Sequence, residues 1–336
     1  MPLPPFTTPV PQPVFMPGMS RKAEGPPLEA QASPIPIRPK PIGGDDDDDD
    51  DDDKSSDSSR TLSKHSTPSS LSASTPGETP FPLPKLRLQI NDLTHAGAAV
   101  FLTSVAAESV LETGVRSVLR TLYVSPGSPE WKRSAPGTRS VTLVLRDMGG
   151  VAYTAGTELD DAHKEIHLSM RYVSGIAPPA PERRTSEITG VLVHELVHCF
   201  QHNGRGACPG GLVEGVADFV RLRCGLAPPH WRRPGPPGDG GDNDAPAPPD
   251  RWDAGYQHTA YFLDYLEGRF GEGTVRRLNE KLRAERYEER RFWTELLGRP
   301  VEQLWQDYRD EVLGGGDDKG ESEKTTHATV SEATQT

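Results

Sequence analysis

Two histidines stand four residues apart inside an apolar stretch, with a glutamate directly after the first: His194-Glu195-Leu196-Val197-His198. Ile188, Val191, Leu192 and Leu196 supply an apolar stripe around them, which predicts a helix over residues 185–201, with Thr185 or Ser186 able to cap its start. At a rise of about 1.5 Å per residue, the two imidazoles lie about 6 Å apart along one face. Both can then reach one Zn²⁺ at about 2.0–2.1 Å. Glu195 sits about 100° round the helix from His194, placed to take a proton from water and not to bind the metal. This is the pattern of zinc hydrolases. It constrains the fold strongly, because another element must bring a third ligand to this helix while one position stays open.

The next apolar segment offers that ligand. Leu212 to Cys224 is expected to be a helix stopped by Gly225, and Glu214 and Asp218 share one of its faces. Two carboxylates on a largely apolar helix are costly unless they meet a cation or hydrogen-bond donors. Glu214 is the expected third ligand, and Asp218 is expected to accept the second ring N–H of a liganding histidine. Asp218 stays open as the alternative ligand. His202 extends the stripe, but it lies about 12 Å from His194 along a straight helix, too far to share the ion. It is expected at the helix C-terminus as a cationic ring favoured by the macrodipole. Cys199 points away from the ligands, as a buried apolar residue.

Composition confines the fold. Of 34 prolines, 18 fall in residues 1–84, together with a run of nine aspartates from Asp45 to Asp53. Such a segment cannot bury enough apolar surface to fold, so residues 1–84 and the polar tail 314–336 are expected to be disordered. Residues 85–313 form the expected folded domain, interrupted by a Pro/Gly-rich loop over 232–250. Most of the net charge of −12 belongs to the tails. The nearly neutral middle disfavours nucleic acid as a partner. No apolar run of about 18 residues is present to span a membrane. Three cysteines exclude a disulfide-built scaffold. The start, Met1-Pro2-Leu3-Pro4-Pro5, lacks the basic and apolar regions of a secretion signal, which favours an intracellular location.

Strands are expected at 86–90, 140–147, 151–154 and 164–172. In the last, Ile166, Leu168 and Met170 alternate with Glu165, His167 and Ser169, which reads as a sheet edge with one polar side. Helices are expected at 95–122, 252–268, 272–286 and 300–313. A few strands followed by a run of helices predicts an α+β domain.

Residues 188–231, with His194-Glu195-Leu196-Val197-His198 and Leu212-Val213-Glu214-Gly215-Val216-Ala217-Asp218 at their centre, resemble the plant basic secretory protein family. The resemblance continues through Gly150-Val151-Ala152-Tyr153, Glu165 to Ser169, Trp252-Asp253-Ala254-Gly255-Tyr256 and Leu296-Leu297-Gly298, and covers about residues 85–313. It implies a zincin-like metalloprotease domain of the gluzincin type: a small mixed sheet with an edge strand, an active-site helix and a helical C-terminal part. By position it implies His194, His198 and Glu214 as zinc ligands and Glu195 as the catalytic glutamate. The chain departs from the family in Phe200 and His202, which stand where tryptophans are usual. Its domain is not basic, and no secretion signal precedes it, although the family's members are secreted.

The expected activity is zinc-dependent hydrolysis of peptide bonds in a peptide or protein substrate. The substrate would pair with strand 164–172, with His167 facing the cleft. Tyr256, His258 and His230 are candidates for an oxyanion donor, Tyr256 foremost. The alternatives are a catalytically inactive binding protein on the same scaffold, and a protein whose work lies in its acidic N-terminus.

Overall fold

A computed structural model describes residues 79–176, 181–235 and 246–314. The expectations for residues 1–78, for the centre of the loop at 236–245 and for the tail 315–336 lie outside the described residues. Among the described residues the chain forms four strands and ten helices. In chain order these are β1 (Lys85–Ile90), α1 (Ala96–Ser104), α2 (Ala107–Leu122), α3 (Trp131–Ser134), β2 (Ser140–Arg146), β3 (Ala152–Thr157) and β4 (Asp160–Ser169). There follow α4 (Met170–Gly175), α5 (Pro181–His198), α6 (Gly210–Arg223), α7 (Tyr256–Phe270), α8 (Thr274–Ala284), α9 (Glu289–Leu297) and α10 (Val301–Val312). The mixed α+β class is as expected.

The sheet order is β1-β2-β4-β3, with β1, β2 and β4 parallel and β3 antiparallel to β4. Leu143, Leu145, Ile166 and Leu168 are fully buried and belong to the same core as Leu192 and Leu196 of α5. The α2 helix packs on α5, α5 on α6, and α6 on α7. Around α7 an aromatic cluster joins Trp252, Phe262, Trp293, Trp305 and Tyr308, which ties the C-terminal helices together. No single helix among the described residues is long and apolar enough to cross a membrane.

Three local expectations need correction. The helix expected over 95–122 is two helices, α1 and α2, bent by 66° at Val105 and Ala106. Neither glycine nor proline marks the break. It is tertiary: the Thr185 hydroxyl donates to the Ser104 carbonyl at 2.8 Å, and α1 turns to lie on α4. Thr185 therefore lies inside α5, which begins at Pro181, and does not cap it.

The strand expected at 164–172 ends at Ser169, and its last residues open α4. It is not an edge. Strand β4 lies between β2 and β3, so among the described residues the free edges are β1 and β3. Alternation reports that one face is polar; it does not report which strand lacks a neighbour. The six residues described before β1 already join the body: Phe81 is buried and packs edge-on against Trp131, with ring centroids 5.5 Å apart.

The approach of α1 to α4 depends on Gly97. A Cβ there would stand 2.1 Å from the Met170 carbonyl oxygen, a backbone atom that cannot move aside alone. Gly97→Ala is expected to cost about 1–3 kcal/mol in chemical denaturation, the usual range for overpacking. Gly137→Ala, with nothing within 4 Å of the added carbon, is expected to change stability by less than about 1 kcal/mol.

Candidate metal centre

Helices α5 and α6 run antiparallel, so their polar positions meet in rungs. His198 faces Glu214, and one turn earlier His194 faces Asp218. His194 Nε2 lies 3.1 Å from Glu214 Oε2 and 3.2 Å from His198 Nε2, and the third side of this triangle, His198 Nε2 to Glu214 Oε2, is 3.7 Å. Tetrahedral bonds of about 2.0–2.1 Å require ligand atoms about 3.3 Å apart. The three atoms match that requirement, and the set could hold a metal ion.

The surrounding hydrogen bonds orient the rings. Asp218 Oδ1 lies 2.7 Å from His194 Nδ1, so Nδ1–H donates to the carboxylate and Nε2 is left for the triangle. The side-chain amide of Gln201 lies 2.6 Å from His198 Nδ1. A half-turn of that amide presents its oxygen to an Nδ1–H when Nε2 is committed to a cation. Asp218 is 2% exposed and Glu195 is 2% exposed, so this negative charge is withdrawn from water.

The proton equilibria reflect the crowding. Burial lowers the pKa of His194, but the Asp218 carboxylate and the hydrogen bond to it outweigh burial and raise it. Burial and the neighbouring His194 charge push His198 down. Burial raises Glu195. For Glu214 burial is outweighed by the His194 hydrogen bond and the charges of both histidines, so its carboxyl is lowered. In effect one imidazolium stands among carboxylates, leaving negative charge that a divalent cation would neutralise.

Tyr256 is brought to the same place by backbone geometry. The first turn of α6 presses against the segment before α7, where a Cβ on Gly211 would fall 1.9 Å from the Asp253 carbonyl oxygen. Gly255 then takes φ 86°, and Tyr256 itself takes φ 46°, a strained value for an aromatic residue. The Thr259 hydroxyl clips this turn, accepting from Gly255 N at 2.9 Å and donating to the Trp252 carbonyl at 2.8 Å. The Tyr256 ring lies parallel to that of His194, with centroids 6.4 Å apart and 12° between planes. Burial, and then the charges of Glu214, Asp218 and Glu195, push its phenol up to about 12, so the hydroxyl stays a donor.

Not every expected site residue converges. Tyr153 pairs with His167 and Thr154 with Ile166 across β3 and β4. Successive residues alternate faces, and Thr154 faces α5. His167 therefore lies on the opposite face, away from Glu195, and its expected place in a substrate cleft is corrected. There it stacks on Tyr153 at 4.6 Å and shares a 3.1 Å contact between Nε2 and Glu165. His230 is exposed, and among the described residues no hydrogen bond or ring contact ties it or His258 to the cluster. His202 is not a cationic cap: burial, followed by the charge of Arg283, lowers its pKa.

Two contributors carried no signal in the sequence. Thr154, an ordinary strand residue by type, donates to the Glu195 carboxylate at 2.8 Å. Gln201 follows the motif by three residues, a spacing at which a helix end can fold a side chain back on His198.

The family described as "Peptidase of plants and bacteria" matches residues 83–308. The chain belongs to this family. The match runs from just before β1 into α10, so it includes the sheet and both helices of the metal centre. It agrees with the resemblance drawn from the residues around His194 and Glu214. No curated protein and no solved structure matches the chain.

Glu214→Ala is expected to remove most of the divalent metal bound at a fixed buffered concentration, measured by atomic absorption. Asp218→Ala is expected to weaken affinity roughly 10–100-fold, the usual effect of losing a ligand's outer partner. Full occupancy in Glu214→Ala with loss in Asp218→Ala would reverse the two roles.

Proposed function

We propose that this member of the peptidase family is a zinc-dependent metallopeptidase of the zincin type. The observation that carries the reading is the triangle of His194, His198 and Glu214 with a buried glutamate, Glu195, next to its first ligand. Two imidazoles and one carboxylate are a ligand set of catalytic zinc, which leaves one position open. Zinc held there supplies Lewis acidity, which acidifies water and polarises a carbonyl.

The chain's own groups do the rest. Glu195 accepts a proton from the attacking water and returns it to the leaving amine. Its burial keeps the carboxylate basic enough to do so. Tyr256 donates its hydroxyl to the oxyanion that develops on the scissile carbonyl. Asp218 holds the His194 ring in the tautomer that keeps Nε2 free. An extended peptide lies along β3, the free edge of the sheet nearest Glu195, and pairs with its backbone. This places the substrate on a different strand from the one suggested by sequence alternation.

Glu195→Gln tests the proton step. Zinc content and melting temperature are expected to stay close to wild type, while turnover of a cleaved library peptide falls roughly 10²–10⁴-fold. Tyr256→Phe is expected to lower kcat roughly 10²-fold with little change in zinc content, the usual loss for one oxyanion donor. A zinc-loaded protein that cleaves no peptide in a broad library, with or without chelator, would point instead to a binding protein on a peptidase scaffold.

A further inference from the structure

Among the described residues, the Glu195 carboxylate has one hydrogen-bond donor. The Thr154 hydroxyl lies 2.8 Å from Oε2 and 3.0 Å from the Glu195 backbone carbonyl oxygen. Oε1 takes no hydrogen bond among the described residues. Thr154 belongs to β3 and Glu195 to α5, so this contact joins the free edge of the sheet to the helix of the metal centre. Threonine is stiff at χ1, and here its hydroxyl is held between two oxygens of one residue.

We propose that Thr154 is the positioning residue of Glu195, and that it decides which carboxylate oxygen takes the proton. The proposal rests on the peptidase reading above. A buried carboxylate can rotate about its last bonds, and either oxygen can accept a proton. The Thr154 O–H donates to Oε2, which fixes the plane of the carboxylate and lowers the basicity of that oxygen. Oε1 is then the oxygen that accepts the proton from water, and it keeps that proton on the side from which the leaving amine collects it. The hydroxyl is neither consumed nor charged at any step. The backbone carbonyl gives the same hydroxyl a second acceptor, so Thr154 keeps its rotamer when Oε2 weakens as an acceptor on protonation of its partner oxygen.

A threonine chosen only for strand packing would be replaceable by valine, which has the same shape and a higher preference for strands. The hydroxyl makes the difference. Thr154→Val removes it, Thr154→Ala removes it with less bulk, and Thr154→Ser keeps it. In the full chain loaded with zinc, Thr154→Val is expected to lower kcat roughly tenfold or more, the effect of losing a hydrogen bond to a charged group. KM for the same peptide and the zinc content are expected to stay within about twofold of wild type, because the ligands are untouched and the peptide pairs with the backbone of β3, which a side-chain substitution facing α5 leaves in place. Thr154→Ser is expected to recover most of the lost kcat, and Thr154→Ala to match Thr154→Val. In a Glu195→Gln background, Thr154→Val is expected to add no further loss, since the proton acceptor it serves is gone.

Wild-type kcat in Thr154→Val and Thr154→Ala, with kcat lost in Glu195→Gln, overturns the proposal and leaves the peptidase reading intact. So does a Thr154→Ser variant as slow as Thr154→Val, or losses that multiply in the double variant. Unchanged turnover in Glu195→Gln overturns the proposal together with the role of Glu195.

Discussion

The seam between α5 and α6 sets two imidazoles and two carboxylates face to face, His194 and Asp218 buried and His198 and Glu214 partly so, with a third, buried carboxyl group, Glu195, one residue from His194. Burying so many ionisable groups is costly unless their charges compensate and their hydrogen bonds are complete. Part of the compensation is internal: Asp218 takes the Nδ1 proton of His194, and Glu214 lies against both rings. The remainder is negative. A helix pair built for packing alone would carry leucine or alanine at these positions, as α5 does at Leu192 and Leu196 and α6 at Leu212 and Ala217. Beyond the pairing of Arg221 with Glu187 at one end of the interface, the polar rungs interrupt its apolar contacts where three candidate ligand atoms fall at the spacing of a metal's coordination shell. Charge balance and ligand geometry point to the same cation.

That arrangement depends on main-chain fit elsewhere. Glu214 reaches the histidines because the first turn of α6 is pressed against the chain leading into α7, where Gly211 meets the Asp253 carbonyl with no room for a side chain. The same contact forces the turn at Gly255 and the positive φ of Tyr256. The positions of the Glu214 carboxylate and the Tyr256 ring are therefore set by one piece of backbone packing. Strain at a bulky residue persists only where its surroundings over-determine it. Here the Thr259 hydroxyl clips the turn, while Trp252 is anchored against Phe262 and Trp293. The aromatic cluster of the C-terminal helices is thereby connected to the metal centre.

The cluster of His194, His198 and Glu214 that could hold a metal ion was legible in the sequence because its signals are local. His194 and His198 need only the pitch of one helix, and Glu214 and Asp218 need only the pitch of the next. The class of fold was legible too, since periodicity reports faces and the run of elements reports architecture. What stayed hidden is what depends on pairing. The alternation around His167 was visible, yet only register with β3 shows that Ile166 shares a face with Thr154 and that His167 does not. The break between α1 and α2 has no glycine or proline to announce it, because its cause is a hydroxyl 81 residues away in the chain. The α9 helix is short and strongly charged, and it went unread for the same reason: Phe292 and Trp293 are buried by partners outside it, Tyr287 of the preceding loop and Phe262 of α7.

The position of the motif at the very end of α5 adds a physical reason for the surrounding polar residues. The last four carbonyls of a helix lack intrahelical partners and must find donors. The Leu196 and Val197 carbonyls take backbone donors from Cys199, Phe200 and Gln201, and three hydroxyls serve the carbonyls at and just past the helix end: Thr154 of β3 reaches the Glu195 carbonyl, Thr138 the Cys199 carbonyl, and Tyr123 the Phe200 carbonyl. Asn279 of α8 continues the series by accepting from His202 N while donating to the Leu122 carbonyl at the end of α2. These bonds hold the helix end against the sheet, α2 and α8 at once. They also explain why His202 does not act as a charged cap. With these carbonyls already served and the ring half-buried beside Tyr123 and within the field of Arg283, a neutral imidazole is favoured. The hydroxyl nearest the motif, that of Thr154, shares its one proton between a helix carbonyl and the Glu195 carboxylate. Terminating the helix and orienting its buried glutamate are therefore one structural event, and rigidity at this end of α5 is a condition for both.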